Sequence, residues 1–164
     1  MTRKKLTHSG PDGSARMVDV SAKAMTDRSA TAGGSIRMKA ETLRAIQRNS
    51  LAKGDVLSVA KVAGIMAAKR TAELIPLCHP LNLANVKVVL TSDKKLPGIR
   101  CEATVRTTGK TGVEMEAITA VAVTLITVYD MAKAIDKDMR INNICLLEKA
   151  GGRSGHWQRR GRKT

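Results

Sequence analysis

The chain has 164 residues, 43% of them hydrophobic, which is enough for one domain with a real core and too apolar for a disordered polar chain. Its 29 Lys and Arg against 14 Asp and Glu leave a net charge of +15, which calls for an acidic partner: nucleic acid, an anionic membrane or a polyphosphate. With no Phe, one Trp and one Tyr, it lacks the aromatic platforms on which single strands stack, and this counts against a nucleic-acid module.

Residues 1–14 read as a flexible polar lead with Gly10, Pro11 and Gly13, and no apolar h-region of a signal peptide. Residues 15–20 alternate around Met17, Val18 and Val20, which predicts a strand. Gly33-Gly34 punctuates before a short extended piece over 35–38. A helix follows over 40–49, with Leu43 and Ile46 at helical spacing. Asp55 caps a second helix, on which Val56, Val59, Ala60, Ala63 and Ala67 recur. Pro76 and Pro80 fence off a loop. Residues 85–92 and 99–107 alternate as strands, joined by the hairpin signal Lys94-Lys95-Leu96-Pro97-Gly98. A long helix spans 111–135, a final strand 140–147, and a basic tail 158–164. From Gly34 onward the order is strand, helix in two pieces, strand, strand, helix, strand. That is an α+β ferredoxin-like plait, a single domain with helices packed on one face of a mostly antiparallel sheet.

The long helix carries the functional signal. Its middle, 117–128, is apolar, and its charges sit at the tips: Glu114 and Glu116 at one end, Asp130 and Lys133 at the other. The apolar stretch is short for a membrane span and Thr residues interrupt it, so a buried or interfacial helix is expected and a membrane protein is not. Thr111 and Glu114 have the spacing of a capping box, which is the simpler reading of Glu114. Glu116 has no such explanation. Asp130 and Lys133 are neighbours on one face, and Val128, Met131 and Ile135 around them suggest partial burial. Gly109-Lys110-Thr111 imitates the end of a P-loop, but Thr104 stands where that motif needs glycine.

Cys78-His79 lies between the two prolines, in a rigid loop that suits a functional histidine. Zinc is a weak reading there, because adjacent side chains diverge and the other Cys and His residues are scattered. Three widely spaced cysteines, Cys78, Cys101 and Cys145, fit a reduced cytoplasmic protein without disulfides. Glu114 and Lys133 are nineteen residues apart, about 28 Å along one helix. If both serve one small-molecule site, two chains must contribute to it.

Taken together, Ala15-Arg16-Met17-Val18-Asp19-Val20, Lys53-Gly54-Asp55, the run from Ala63-Gly64 to Lys69, Leu74 to Pro80, Lys110 to Ala117, Tyr129-Asp130-Met131 and Gly151-Gly152-Arg153-Ser154-Gly155-His156-Trp157 resemble the cyclic pyranopterin monophosphate synthase family. The resemblance runs in order over nearly the whole chain. It implies the same plait, and a homohexamer built as a trimer of dimers with its sites at the dimer interface. It also implies conversion of 3′,8-cyclo-7,8-dihydro-GTP to cyclic pyranopterin monophosphate with release of pyrophosphate. Lys53, His79, Asp130 and Lys133 match the family's catalytic positions. Arg28, Lys69, Cys78, His79, Thr111, Glu114, Met115, Glu116 and Lys149 match positions of substrate contact or support. The glycine pair after Lys149 can shape an anion cradle. No cofactor or protein-held metal is expected; Mg²⁺ with the triphosphate is ordinary chemistry, although no carboxylate cluster demands it. The chain departs from the family pattern after His8, at Asn82 and at Ala132. Two rival classes remain at this level: a nucleic-acid binder, motivated by the charge, and a non-catalytic hexamer, motivated by the long apolar helix.

Overall fold

The computed structural model describes residues 14–160. Nearly all of the expected polar lead, and the tail from 161 onward, lie outside the described residues. The elements are β1 (Thr26–Arg37), α1 (Ala40–Gln47), α2 (Val56–Lys69), α3 (Thr71–Leu74), β2 (Asn85–Asp93), β3 (Gly98–Gly109), α4 (Glu114–Ala132), β4 (Arg140–Ala150) and β5 (Trp157–Gln158). The sheet runs β2-β3-β1-β4-β5, with every neighbouring pair antiparallel. Its first four strands have the order of the ferredoxin-like plait. β5 adds a short fifth strand, and Gln158, expected to open the basic tail, belongs to it.

The elements follow from residue chemistry. In β3, Ile99, Cys101, Ala103 and Val105 are buried, while Arg100, Glu102 and Arg106 alternate with them and are exposed. The Asp93 carboxylate turns the chain into β3 by accepting the N–H groups of Lys95 and Leu96, at 2.8 and 3.2 Å. Asp55 caps α2 as expected, its side chain accepting the Ser58 N–H at 3.0 Å. Asp136, just past α4, is almost fully buried. It fastens α1 by accepting from the Lys39 N–H at 2.8 Å and the Thr42 hydroxyl at 3.1 Å. Burial opposes its charge, but those donors and the Asp138 N–H outweigh it and hold the carboxyl below its ordinary range.

Two expectations are corrected. Residues 15–20 are not a strand; only Ala15 makes an isolated bridge. Their alternation is real, but Val18 and Val20 turn toward a cleft rather than into a sheet. The central strand, by contrast, is β1, three times the length of the extended piece expected over 35–38. It escapes pattern reading because its inward residues are Ala30, Ala32, Gly34 and Ile36, mostly too small to register as apolar periodicity. Small size is required there: a Cβ on Gly34 would sit 2.9 Å from Val121 and 3.0 Å from Leu125 of α4.

α4 crosses β1, β3 and β4, and α2 packs alongside it. α4 has the length and mean hydropathy of a membrane span, but 56% of it is buried inside the fold, as a core helix is. The two helices approach most closely at Gly64, where any Cβ would collide with the Thr124 hydroxyl and come within 2.9 Å of the Ala120 carbonyl. Replacing a helical glycine by alanine ordinarily gains about 1 kcal/mol of helix propensity. Here overpacking of about 1–3 kcal/mol opposes it, and a backbone carbonyl cannot step aside. Gly64→Ala is therefore expected to lower the melting temperature, and Thr124→Ala in the same chain to restore part of the loss. Thermal denaturation of both variants reads this directly; an unchanged or raised midpoint for Gly64→Ala would show that the helices are free to separate.

Candidate active site

Two groups of ionisable residues stand at opposite ends of α4. At its C-terminal end, Asp130 lies between two ammonium groups. Lys133 Nζ donates to Asp130 Oδ1 at 2.6 Å and Lys53 Nζ to Oδ2 at 2.7 Å, while Lys53 also reaches the Asp130 carbonyl at 3.1 Å. Lys53 comes from the turn before α2, where Gly54 takes a left-handed φ of +83°. The three side chains are about half-exposed, at 49%, 51% and 54% for Lys53, Asp130 and Lys133, more open than the apolar neighbours suggested. Val128 and Met131 are buried, but Ile135 is not.

Lys133 first, then Lys53, holds the Asp130 carboxyl down to about 2. Asp130 in turn raises Lys133 above its ordinary value. Asp130 and Lys133 therefore both stay charged at neutral pH. Because the carboxyl is depressed on folding, the triad's contribution is complete above the ordinary carboxylate range and fades as pH falls toward 2. Carbon-13 NMR titration should find Asp130 ionising at about 2. Lys133→Ala should move it up toward the ordinary ~3.9. An ordinary value in the wild-type chain would mean that the ion pairs do not persist in solution.

At the other end is a cleft of about 470 Å³, whose walls include Val18, Cys78, His79, Thr111, Glu114, Met115 and Glu116. Six of the expected substrate-contact residues therefore meet here. Glu114 does not close a capping box. The N-cap position is Val113, without a side-chain cap. Instead the Glu114 carboxylate accepts from Lys149 Nζ at 2.7 Å, which ties α4 to β4. Glu116 is 4% exposed. Burial pushes its carboxyl up and the charge of Glu114 adds to this, against a bond from its own backbone N–H. Burial, then Glu116, also raises the Cys78 thiol, which makes it a poor nucleophile. His79 Nε2 lies 2.7 Å from the Val18 carbonyl. A carbonyl can only accept, so that nitrogen carries a proton and Nδ1 is left for other partners. The bond also holds residues 18–20 over the cleft, as does Lys110 Nζ through the Ser21 carbonyl at 2.6 Å.

Arg28 stands beside this end on β1, its Nε donating to the Gly109 carbonyl at 2.9 Å. Lys69, the last residue of α2, is exposed and lines neither this cleft nor the one around Arg28. Lys23, which no motif marks out, lines both clefts. Its one signal is a lone charge among Ser21, Ala22, Ala24 and Met25.

Residues 17–152 match the MoaC family. The chain belongs to that family. Relatives named cyclic pyranopterin monophosphate synthase span it almost end to end. The protein from Chloroflexus aurantiacus is 59% identical over 155 residues, 94% of this chain and 95% of its own. That from Parvibaculum lavamentivorans is 57% identical over 158 residues, 96% and 99% respectively. That from Brucella ovis is 56% identical over 153 residues, 93% of each. As a MoaC protein, the chain carries both charged ends of α4 inside the matched region.

Proposed function

We propose that this MoaC protein is a cyclic pyranopterin monophosphate synthase, converting 3′,8-cyclo-7,8-dihydro-GTP to cyclic pyranopterin monophosphate and pyrophosphate in molybdenum cofactor biosynthesis. The observation that carries the reading is the pairing of a carboxylate-lined cleft with a separate, ion-paired Lys–Asp–Lys triad. A purine-derived ring offers N–H donors, which the carboxylates of Glu114 and Glu116 in the cleft wall can accept. Ring rearrangement needs repeated proton transfers. Lys133, positioned by Asp130 with Lys53 beside it, is the principal acid and, once it has given up its proton, the base. Closure of the cyclic phosphate joins a sugar oxygen to the α-phosphorus, breaks the bridge to the β-phosphate, and releases pyrophosphate. Fixed cations are what that departing charge requires. In this reading any Mg²⁺ arrives on the triphosphate as part of the substrate.

The two halves are not one site within a protomer. Glu114 opens α4 and Lys133 is its C-cap, so they stand at opposite ends of a 19-residue helix, about 28 Å apart. Between them the outer helical surface is apolar, with Val59, Val62 and Met66 of α2 and Ile126 of α4 exposed. A second copy laid antiparallel on this face would bring each triad to its twin's cleft, a two-fold contact made twice. We assign the site to that dimer, as the repeating unit of a cytoplasmic homohexamer.

Complementation tests this. Lys133→Ala and His79→Ala are each expected to lose nearly all turnover, about 10²–10⁴-fold for a group that moves protons, while keeping the wild-type oligomeric state. Refolded together in equal amounts, half of the dimers are mixed and each mixed dimer has one intact site, so about a quarter of wild-type activity should return. No recovery, from variants shown to mix, would place both groups in one protomer. Wild-type turnover by a folded Lys133→Ala protein would end the catalytic assignment.

A further inference from the structure

We propose that Lys110 is a positioning residue for the reaction: it latches residues 18–21 across the cleft at the start of α4, so that the Val18 carbonyl fixes His79 with its proton on Nε2 and leaves Nδ1 as the basic nitrogen. Its bearing on turnover rests on the reading above; the latch itself is a property of the free protein. Lys110 belongs to Gly109-Lys110-Thr111, the sequence that imitates the end of a P-loop. It lies outside the cleft wall and outside the triad, so any effect it has on the chemistry passes through another residue.

Residues 16–23 form a strap with little to hold it down. They belong to no helix or strand, and all are exposed except Val18 and Val20, which are half-buried against the cleft. Two partly covered valines are a small gain against the entropy of ordering such a segment. Side-chain bonds from the body of the fold supply the rest. Lys110 Nζ donates to the Ser21 carbonyl at 2.6 Å, and His79 Nε2 to the Val18 carbonyl at 2.7 Å. Local bonds stiffen the chain between these two ties. The Asp19 carboxylate accepts the Ser21 N–H at 2.8 Å, and the Lys23 N–H closes a turn onto the Val20 carbonyl at 3.0 Å. The Ser21 hydroxyl, then its N–H, hold the Asp19 carboxyl below its ordinary range, and the charge of Lys110 contributes less. Fixing Ser21 therefore also fixes the carbonyl of Val18.

The other side of the latch is rigid. Lys110 directly follows Gly109, the last residue of β3, which is paired in register with Thr26 of β1. The next two residues, Thr111 and Gly112, are already cleft wall. Gly112 is closed in by the Glu114 carboxylate, with which any Cβ would collide. The Lys110 backbone is thus held between a strand end and the wall, and its ammonium reaches out to the strap as a charge-assisted donor. The consequence falls on His79. A neutral imidazole carries one proton, and the Val18 carbonyl requires it on Nε2. Nδ1 is then an acceptor, the form a proton-accepting base needs. With the strap lifted, water replaces the carbonyl, and neither the ring's orientation nor its tautomer is imposed any longer.

Lys110→Met, which keeps the stem and removes the donor, tests the latch. Nitrogen-15 NMR of the ligand-free protein, with His79→Gln to mark the His79 signals, reads it without turnover. In wild type the His79 Nε2 proton should exchange slowly with water. In Lys110→Met it should exchange about tenfold faster, the weight of one charge-assisted hydrogen bond. Lys110→Arg, which restores a donor, should recover most of the protection. With the cyclised GTP as substrate, kcat of Lys110→Met should fall about tenfold while KM changes far less, and Lys110→Arg should again recover most of the loss. Lys87→Met, removing the same charge from β2, should alter neither reading. Unchanged protection in Lys110→Met would overturn the latch whatever the activity. So would a loss confined to KM, which would make Lys110 a direct substrate contact. If protection depends on Lys110 but wild-type protein does not turn over the cyclised GTP, the latch stands and the proposed reaction falls.

Discussion

The crossing of α2 and α4 at Gly64 fixes where the charged groups at the two ends of α4 stand. Because the helices touch there through backbone and small side chains, their register has little freedom. They run antiparallel, so eight residues back from Gly64 reaches the start of α2 while eight onward from the Ala120–Thr124 contact reaches Asp130. Each arm is about 12 Å long. Lys53 therefore arrives beside Asp130 as a result of helix packing, and the salt bridges at 2.7 and 2.6 Å follow from a placement made elsewhere in the fold. In the other direction the same register sets the end of α2 near Glu114 and Glu116. Exposed ion pairs contribute little stability by themselves; this triad is positioned by packing and matters for its electrostatics.

A small-residue layer makes that packing close. Ala30 and Ala32 of β1 and Ala117 and Ala120 of α4 are all buried, Gly34 lies against Val121 and Leu125, and apart from Cys101 the buried hydrophobic core is Ala, Val, Ile, Leu and Met. At Gly34 even a methyl group is tight. A phenyl ring between these layers would force them apart, which gives the absence of Phe a physical setting. The large positive charge is likewise organised. Part of it meets carboxylates, as at Glu114–Lys149 and Asp130, and part is concentrated without them around Arg28.

Much of this could be read in the residues. β2, β3 and α2 announce themselves by strict alternation or by Asp55 and the apolar repeat behind it, and the plait follows from element order. Those patterns are legible because one face of each element is large and apolar. β1 is central and was mostly hidden, since its buried face is made of Ala and Gly. Residues 15–20 failed in the opposite way: the alternation of Val18 and Val20 is genuine, but it serves a cleft wall, and no periodicity tells one from the other. The triad was legible as an i, i+3 pair plus a family match for Lys53. The partnership of Glu114 with Lys149 was not, because the local capping-box spacing competes with a contact 35 residues away. Lys23 could not have been singled out, since only the folding of its segment across two clefts gives it a role.

The length of α4 acts as a ruler with a reading at both ends. Deleting or inserting one residue within Glu114–Ala132 would turn one tip by about 100° and move it by about 1.5 Å relative to the other. In the proposed symmetric pair that error would be felt in both pockets simultaneously, and no adjustment of a loop would correct it. Drift in this chain should therefore accumulate by exchange of side chains along the helix, and by changes of length only in segments such as the turn between β2 and β3, where nothing is being measured.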